Sequence, residues 1–266
     1  MADSEFTPFH TLARILSRWW ITIILALIGG IIGWGFHFFH APVYEATSIL
    51  TVNMDFSQRV LTQYEEDYAF NAAGNIINST AVKDQIVTKA QTDGISVDPT
   101  RLAQQMFAER RQSVWELHIR DRDPQIAAEL ANIWAQMAKD ALNAALEHAL
   151  GAEQFQNQVD LLEACQPVAP GTTESTPLPS PIPQDCGRYS LADIQTEIQS
   201  WANALVQEKN LSFGILPVME FALTGEASIP EKPVLYNRAS LTLAGALIGF
   251  VISLWVAGIR WGQRSA

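Results

Sequence analysis

Two apolar runs bracket this chain, Trp19–Phe36 and Ala239–Ile259, and neither holds a charged side chain. Each is about long enough to cross a hydrocarbon core of ~30 Å at a rise of ~1.5 Å per residue. The pattern between them is polar and broken into short periodic segments. It predicts a hairpin through a membrane: a tail over 1–18, a helix over 19–38, a water-exposed region, a second helix over 239–259 and a tail over 260–266.

The water-exposed region starts with a strand. From Pro42 to Val52, Tyr44, Ala46, Ser48, Leu50 and Val52 alternate with Val43, Glu45, Thr47, Ile49 and Thr51, and β-branched residues are frequent. Residues from about 64 to 91 read as helical, with Ile76, Ile77, Val82, Ile86 and Val87 as an interrupted apolar face. Asp98 offers an N-cap before Pro99, with the helix continuing through Leu102 and Met106. Two further strands follow: Ser113–Arg120, with Trp115, Leu117 and Ile119 on one side, and Val218–Ala227, with Met219, Phe221 and Leu223. Three strands with interleaved helices predict an α+β extracytoplasmic domain, its base formed by 39–123 and completed by a strand and proline-rich lead-in over 212–238.

Residues 124–211 read as a projecting antiparallel helical hairpin. Asp123 caps a helix with Pro124 in its first turn, and Ile126, Leu130, Ile133, Met137, Leu142 and Leu146 carry it toward Leu162. At ~1.5 Å per residue such a helix spans roughly 60 Å. Its return partner is Tyr189–Leu211, where Ile194, Ile198, Trp201 and Leu205 take the a/d spacing of a coiled-coil seam. Pro167–Asp185 lies between them with six prolines and cannot continue a helix. The only cysteines, Cys165 and Cys186, flank this loop, which in an oxidising exterior compartment suits a disulfide; two unpaired thiols are the alternative.

Charge changes the picture in one respect, orientation. Arg14 and Arg18 precede the first run, while Arg260 and Arg264 follow the second with no acid nearby. Basic residues beside span ends favour the cytoplasm, so both termini are expected inside and the main domain outside a cytoplasmic (inner) membrane. Residues 38–238 hold 26 of the 28 acids but 13 of the 17 lysines and arginines. That balance argues against nucleic acid, whose binding needs phosphate neutralisation. A cleaved signal peptide is disfavoured, because bulky Phe36, His37, Phe38, Phe39 and His40 follow the first run instead of a small-x-small site.

Candidate chemistry is sparse. His37-x-x-His40 reads as interfacial packing before it reads as a metal site. Glu65, Glu66 and Asp67 read as a solvated helix N-terminal turn before an acid/base cluster. No G-x-S-x-G elbow and no phosphate-binding G-x-x-x-x-G-K-[ST] loop occurs. Asn78-Ser-Thr80 and Asn210-Leu-Ser212 match the short glycosylation pattern, as many chains do by chance. No enzyme activity, cofactor or metal is expected. The spans carry more signal: Gly29-x-x-x-Gly33 and Gly245-x-x-x-Gly249 each put two small residues on one helix face for close packing. Trp19, Trp20, Trp34, Tyr236 and Trp261 suit the interface with membrane lipid.

Four landmarks in this order resemble the Wzz-type chain-length determinants, or polysaccharide co-polymerases. They are the first span with Pro42-Val-Tyr44-Glu-Ala-Thr-Ser-Ile-Leu, and Ile119-Arg-Asp-Arg-Asp123-Pro124-Gln-Ile-Ala-Ala128-Glu-Leu-Ala-Asn132, which looks like that family's D-x-x-P-x-x-A-x-x-x-A-N region. The helical excursion comes third, and Ala227-Ser-Ile-Pro230-Glu-Lys-Pro233 before the second span comes last. The resemblance implies a homo-oligomeric ring that regulates the length or export of an O-antigen, capsule or exopolysaccharide. The implied partners are a Wzy-type polymerase or export machinery; related members act with tyrosine kinases, and since no kinase domain is fused here, such a cytoplasmic kinase is expected to be separate. The proline-rich tip departs from the family pattern. Pro230 and Pro233 stiffen the lead-in to the second span, which would couple the exterior domain to the membrane helices; merely ending a strand is the plainer reading. A two-span receptor with an extracytoplasmic ligand-binding domain is the alternative function, and its short tails leave little room for signalling.

Overall fold

The computed structural model describes residues 19–57, 60–165 and 191–262. Their order is α1 (Trp19–Phe39), β1 (Tyr44–Met54), α2 (Gln63–Ile77), α3 (Thr80–Thr92), α4 (Pro99–Gln105), β2 (Met106–Arg111) and β3 (Val114–Asp121). Then come α5 (Pro124–Glu163), α6 (Leu191–Leu211), β4 (Met219–Gly225) and α7 (Arg238–Gly262). The described chain forms two compact units. One comprises residues up to Ala46, Arg120–Ala127 and residues from Ile229 on; the other comprises Thr47–Ile119 and Ala128–Ser228.

The fold is α+β, with a four-stranded sheet in the order β2-β3-β1-β4. β4 lies antiparallel to β1, pairing Leu223 with Leu50, Phe221 with Val52 and Met219 with Met54. β2 and β3 form a hairpin that pairs Met106 with Ile119 and Arg111 with Val114. Thr47 meets His118, and the Val52 amide donates to the Ser113 carbonyl. Partner numbers fall as the β1 numbers rise, so β1 and β3 are antiparallel as well. Alternation sends Leu50, Val52, Leu117, Ile119, Met219 and Phe221 to one face, where they are buried with Ile77, Ile86, Leu102, Leu130 and Trp134 from the helices.

The structure corrects the expected elements in two places. The helical stretch over about 64–91 is divided into two helices, α2 and α3. Asn78 ends α2, its side-chain amide donating to the Gly74 carbonyl, and Ser79 opens α3 by accepting from the Val82 amide at 3.2 Å. Two polar residues able to bond their own backbone outweigh the apolar face. Also, Met106 ends a helix and starts a fourth strand, because α4 stops at Gln105. The β2–β3 connection is Gln112-Ser113, with Gln112 at φ 57°. Glycine and asparagine are the usual residues of such turns, and their absence hid the hairpin.

Trp115 shows how closely helix and sheet approach. Its ring lies on the backbone of α2 at Gly74, where an added Cβ would collide with it. The Trp134 indole donates to the Ile77 carbonyl at 3.1 Å, satisfying an acceptor at the C-terminal end of α2. Farther along, α5 and α6 run antiparallel in the second unit. Phe155 and Trp201 have ring centroids 5.4 Å apart, and His148 Nδ1 lies 2.6 Å from a Glu208 carboxylate oxygen. Ala149, Ala152, Val159, Ile194 and Leu205 are buried along these helices.

Gly74→Ala is expected to destabilise the protein despite alanine's better helix propensity. Overpacking against a wedged indole costs about 1–3 kcal/mol, against roughly 1 kcal/mol gained in propensity. A urea midpoint at or above that of the parent would show that the Trp115 contact yields without cost.

Candidate functional site

In the first unit the two apolar helices lie side by side. Only 11% of Trp20–His37 and 11% of Arg238–Trp255 is buried, so neither is the core helix of a water-soluble unit. Each is long and apolar enough to cross a membrane. Glycines set their contact. A Cβ at Gly29 would strike the Gly245 carbonyl, one at Gly33 the Leu241 carbonyl, and one at Gly249 the Leu25 carbonyl. These pairs have falling partner numbers, so α1 and α7 are antiparallel with backbone against backbone. All four predicted packing glycines, Gly29, Gly33, Gly245 and Gly249, lie in this seam. Beside it an open apolar groove of about 480 Å³ is lined by residues including Ala26, Leu27, Gly30, Thr242 and Ala246.

The chain leaving α1 and the chain approaching α7 are joined to each other. Val43 donates to the Leu235 carbonyl at 3.2 Å and accepts from the Val234 amide at 2.9 Å. Pro42 precedes one partner of this bridge and Pro233 the other. Proline has no amide hydrogen to extend a ladder, which keeps the bridge isolated. Pro230 lies three residues earlier, half-buried. Aromatic and basic groups gather here: His37 Nδ1 lies 3.1 Å from the Tyr236 carbonyl oxygen, His40 stacks on Phe36 at 4.2 Å, and the Arg238 guanidinium sits 5.2 Å from the Trp34 ring centroid. Tyr236 takes φ 57°, a strained value for a bulky residue. Asn237 then caps α7, its side-chain oxygen accepting from the Ala239 amide at 3.0 Å.

Residues of the second landmark have separate duties. Asp123 caps α5 by accepting from the Gln125 and Ile126 amides, with Pro124 as the first helical residue. Ala128 is buried. Tyr44 opens β1, and the neighbouring Glu45 accepts from Arg120 Nε at 2.7 Å.

In the second unit Asn132 makes three hydrogen bonds. Its side-chain oxygen accepts from the Ala227 amide at 2.7 Å and from the Ser48 hydroxyl at 2.8 Å, while its amide donates to the Ala227 carbonyl at 3.2 Å. The second and fourth sequence landmarks therefore meet at Asn132 and Ala227. Ser48 was not singled out from sequence. The signal was there: it is the one hydroxyl among Ala46, Leu50 and Val52 on the inward face of β1, and it is fully buried.

The other flagged groups serve local structure. Glu65 and Thr62 form a reciprocal capping box at the start of α2, and Asp67 lies 3.5 Å from Arg110. Cys165 lies just after α5. Cys186 and the proline-rich tip fall outside the described residues, as do the tail over 1–18 and its arginines.

Residues 9–90 match the family model described as chain length determinant protein, Wzz. Among solved structures, a full-length bacterial polysaccharide co-polymerase is 14% identical, with a TM-score of 0.38 over 96% of this chain and 97% of that one. The wild-type O-antigen chain-length regulator of Shigella flexneri is 13% identical, with a TM-score of 0.20 over 71% and 99%. A Wzz dodecamer is 14% identical, with a TM-score of 0.20 over 71% and 98%. The comparison with curated proteins finds no match. The match over residues 9–90, rather than these superpositions, carries the functional reading.

Two outcomes are expected from substitutions. Asn132→Ala leaves the Ala227 amide and carbonyl and the Ser48 hydroxyl without their partner. At ~1–3 kcal/mol per buried unsatisfied group, the loss should total about 2–4 kcal/mol after partial relaxation, read as a lower denaturant midpoint. Gly245→Leu should lower the thermal midpoint of the detergent-solubilised protein by several degrees, since the α1 backbone blocks the new side chain. Gly35→Leu is the matched control, because a Cβ there meets nothing within 4 Å. Equal effects of the two would argue against a specific glycine seam.

Proposed function

We propose that this chain is a non-catalytic, oligomeric membrane protein that regulates the chain length or export of a cell-surface polysaccharide, acting with a polymerase. The observation that carries this reading is the match of residues 9–90, spanning α1, β1, α2 and most of α3, to the chain-length determinant family. The paired apolar helices agree with a membrane protein. A homo-oligomeric ring is part of this proposal, as the resemblance to the chain-length determinants implies.

In this reading the protein crosses the inner membrane twice, with both termini cytoplasmic because Arg14, Arg18, Arg260 and Arg264 flank the spans. The α+β domain then faces the oxidising side, where Cys165 and Cys186 close the hairpin tip. The glycine seam holds α1 against α7, and the open apolar groove beside it is the surface the pair offers to neighbouring copies or to a polymerase. Pro230 and Pro233 limit the freedom of the segment leading from Ala227 to α7, so that the exterior assembly biases the membrane helices.

The test is genetic and reads the glycan itself. Deleting the gene should change polymer length while synthesis continues, and the parent chain should restore it. A variant with both Pro230→Ala and Pro233→Ala, present at normal abundance, should give a shifted or broadened length distribution on a gel. Normal synthesis with lost export would place the protein on the export side of the proposal. A deletion strain with unchanged glycan amount, length and export would refute it.

A further inference from the structure

We propose that Glu109, Glu116 and His118, on the face of the β2–β3 hairpin opposite the core, form a binding site for a borderline divalent cation represented by Zn²⁺. The sequence marks His118 only as a strand residue, yet the hairpin register groups it with two carboxylates. Glu109 pairs directly with Glu116 across the strands, and Phe107 pairs with His118. Glu116 and His118 are two apart on one strand and so share a face. One ligand atom from each of the three residues lies within 4.8 Å of the others. Ligand atoms about 2.0–2.2 Å from one tetrahedral ion lie about 3.4 Å apart, so the three must draw together on binding, and exposed Glu109 has the room to move.

The imidazole is already oriented for ligation. His118 Nδ1 lies 2.9 Å from the Thr47 hydroxyl, and the ring stacks on Phe107 with centroids 4.5 Å apart and planes 4° apart. Nε2 faces the carboxylates, 3.5 Å from Glu116 Oε2. When Nδ1–H donates to Thr47, Nε2 turns a lone pair toward the carboxylates. This is the usual arrangement of a metal-bound histidine, one ring nitrogen on a protein acceptor and the other on the ion. Its side chain is only 10% exposed, so the orientation is held by packing.

The electrostatics favour a cation. Like charges directly opposite on neighbouring strands repel, and Glu109 and Glu116 are such a pair. Arg111 offsets part of this, with Nε 3.4 Å from Glu109 and Nη1 3.4 Å from Glu116. That guanidinium is 61% exposed and makes long contacts, so it can swing away as an ion enters. One imidazole and two carboxylates leave coordination positions for water or for an oxygen ligand from another molecule. A bound ion would clamp edge strand β2 to β3 independently of any role in glycan length.

Isothermal titration of Zn²⁺ into the full-length, tag-free protein in detergent tests the site. The expected result is one Zn²⁺ per chain at this site, with affinity falling at least about tenfold in Glu109→Gln and in His118→Gln. Glu109→Gln changes an exposed side chain and keeps the fold, so its result stands even where His118→Gln is unstable. Arg111→Ala should tighten binding by removing the competing cation. Absence of binding, or binding of parental affinity in Glu109→Gln, would overturn the site.

Discussion

The hydrogen bonding of Asn132 completes the sheet where its own ladder fails. The β1–β4 register shifts between Ile49 and Leu50, and β4 ends at Gly225. Two residues later the Ala227 amide and carbonyl are largely buried with no strand to pair with. The carboxamide of Asn132 presents one acceptor and one donor, the same pair of groups as a peptide bond, and meets both. Its oxygen also takes the Ser48 hydroxyl. One side chain thus ties the long helix α5 to the central strand β1 and to the chain that continues toward the second apolar helix. Aspartate has no N–H to give the Ala227 carbonyl, and leucine of similar size offers no polar group at all.

A comparable economy holds at the membrane end. Apolar burial does not drive helices together in lipid, since acyl chains are as apolar as leucine. Association there depends on close packing, and only glycine lets the backbones of α1 and α7 touch at Gly29, Gly33, Gly245 and Gly249. The Val43–Leu235 bridge lies between Pro42 and Pro233, and neither proline can donate to a longer ladder. The joint is therefore short by construction, and the Tyr236 backbone takes a strained conformation just before Asn237 caps the helix.

What could be read from sequence divides along the range of the forces involved. Local signals were sufficient for the helices: Asp123 before Pro124, Asp98 before Pro99, and the apolar runs of α1 and α7. Alternation gave β1, β3 and β4 and put Ser48 on the same side as Leu50 and Val52, a side the structure shows to be buried. The β2 hairpin was not legible because Gln112 takes φ 57° without the residue types that usually announce it. The break at Asn78-Ser79 was hidden because Ile76, Ile77 and Val82 keep an apolar rhythm across it. Contacts such as Asn132 with Ala227, 95 positions apart, leave no trace in spacing. The glycine pairs were visible as motifs, but which backbone each meets is a tertiary fact.

The use made of polar groups bears on where function can reside. Residues that first suggested chemistry serve local structure among the described residues. Glu65 closes a capping box and His37 contacts the Tyr236 carbonyl; Asp123 caps α5 as its place before Pro124 predicts, and His148 meets Glu208 between the two long helices. A general base needs a lone pair free to meet a substrate, and groups committed to caps and interhelical bonds are poorly placed to offer one. The features left over are surfaces: the lipid-facing sides of α1 and α7, the groove beside their seam, and the charged face of the β2–β3 hairpin. Surfaces of this kind act through what assembles on them. A regulator of polymer length needs no reacting atom of its own, only a geometry imposed on an enzyme that has one.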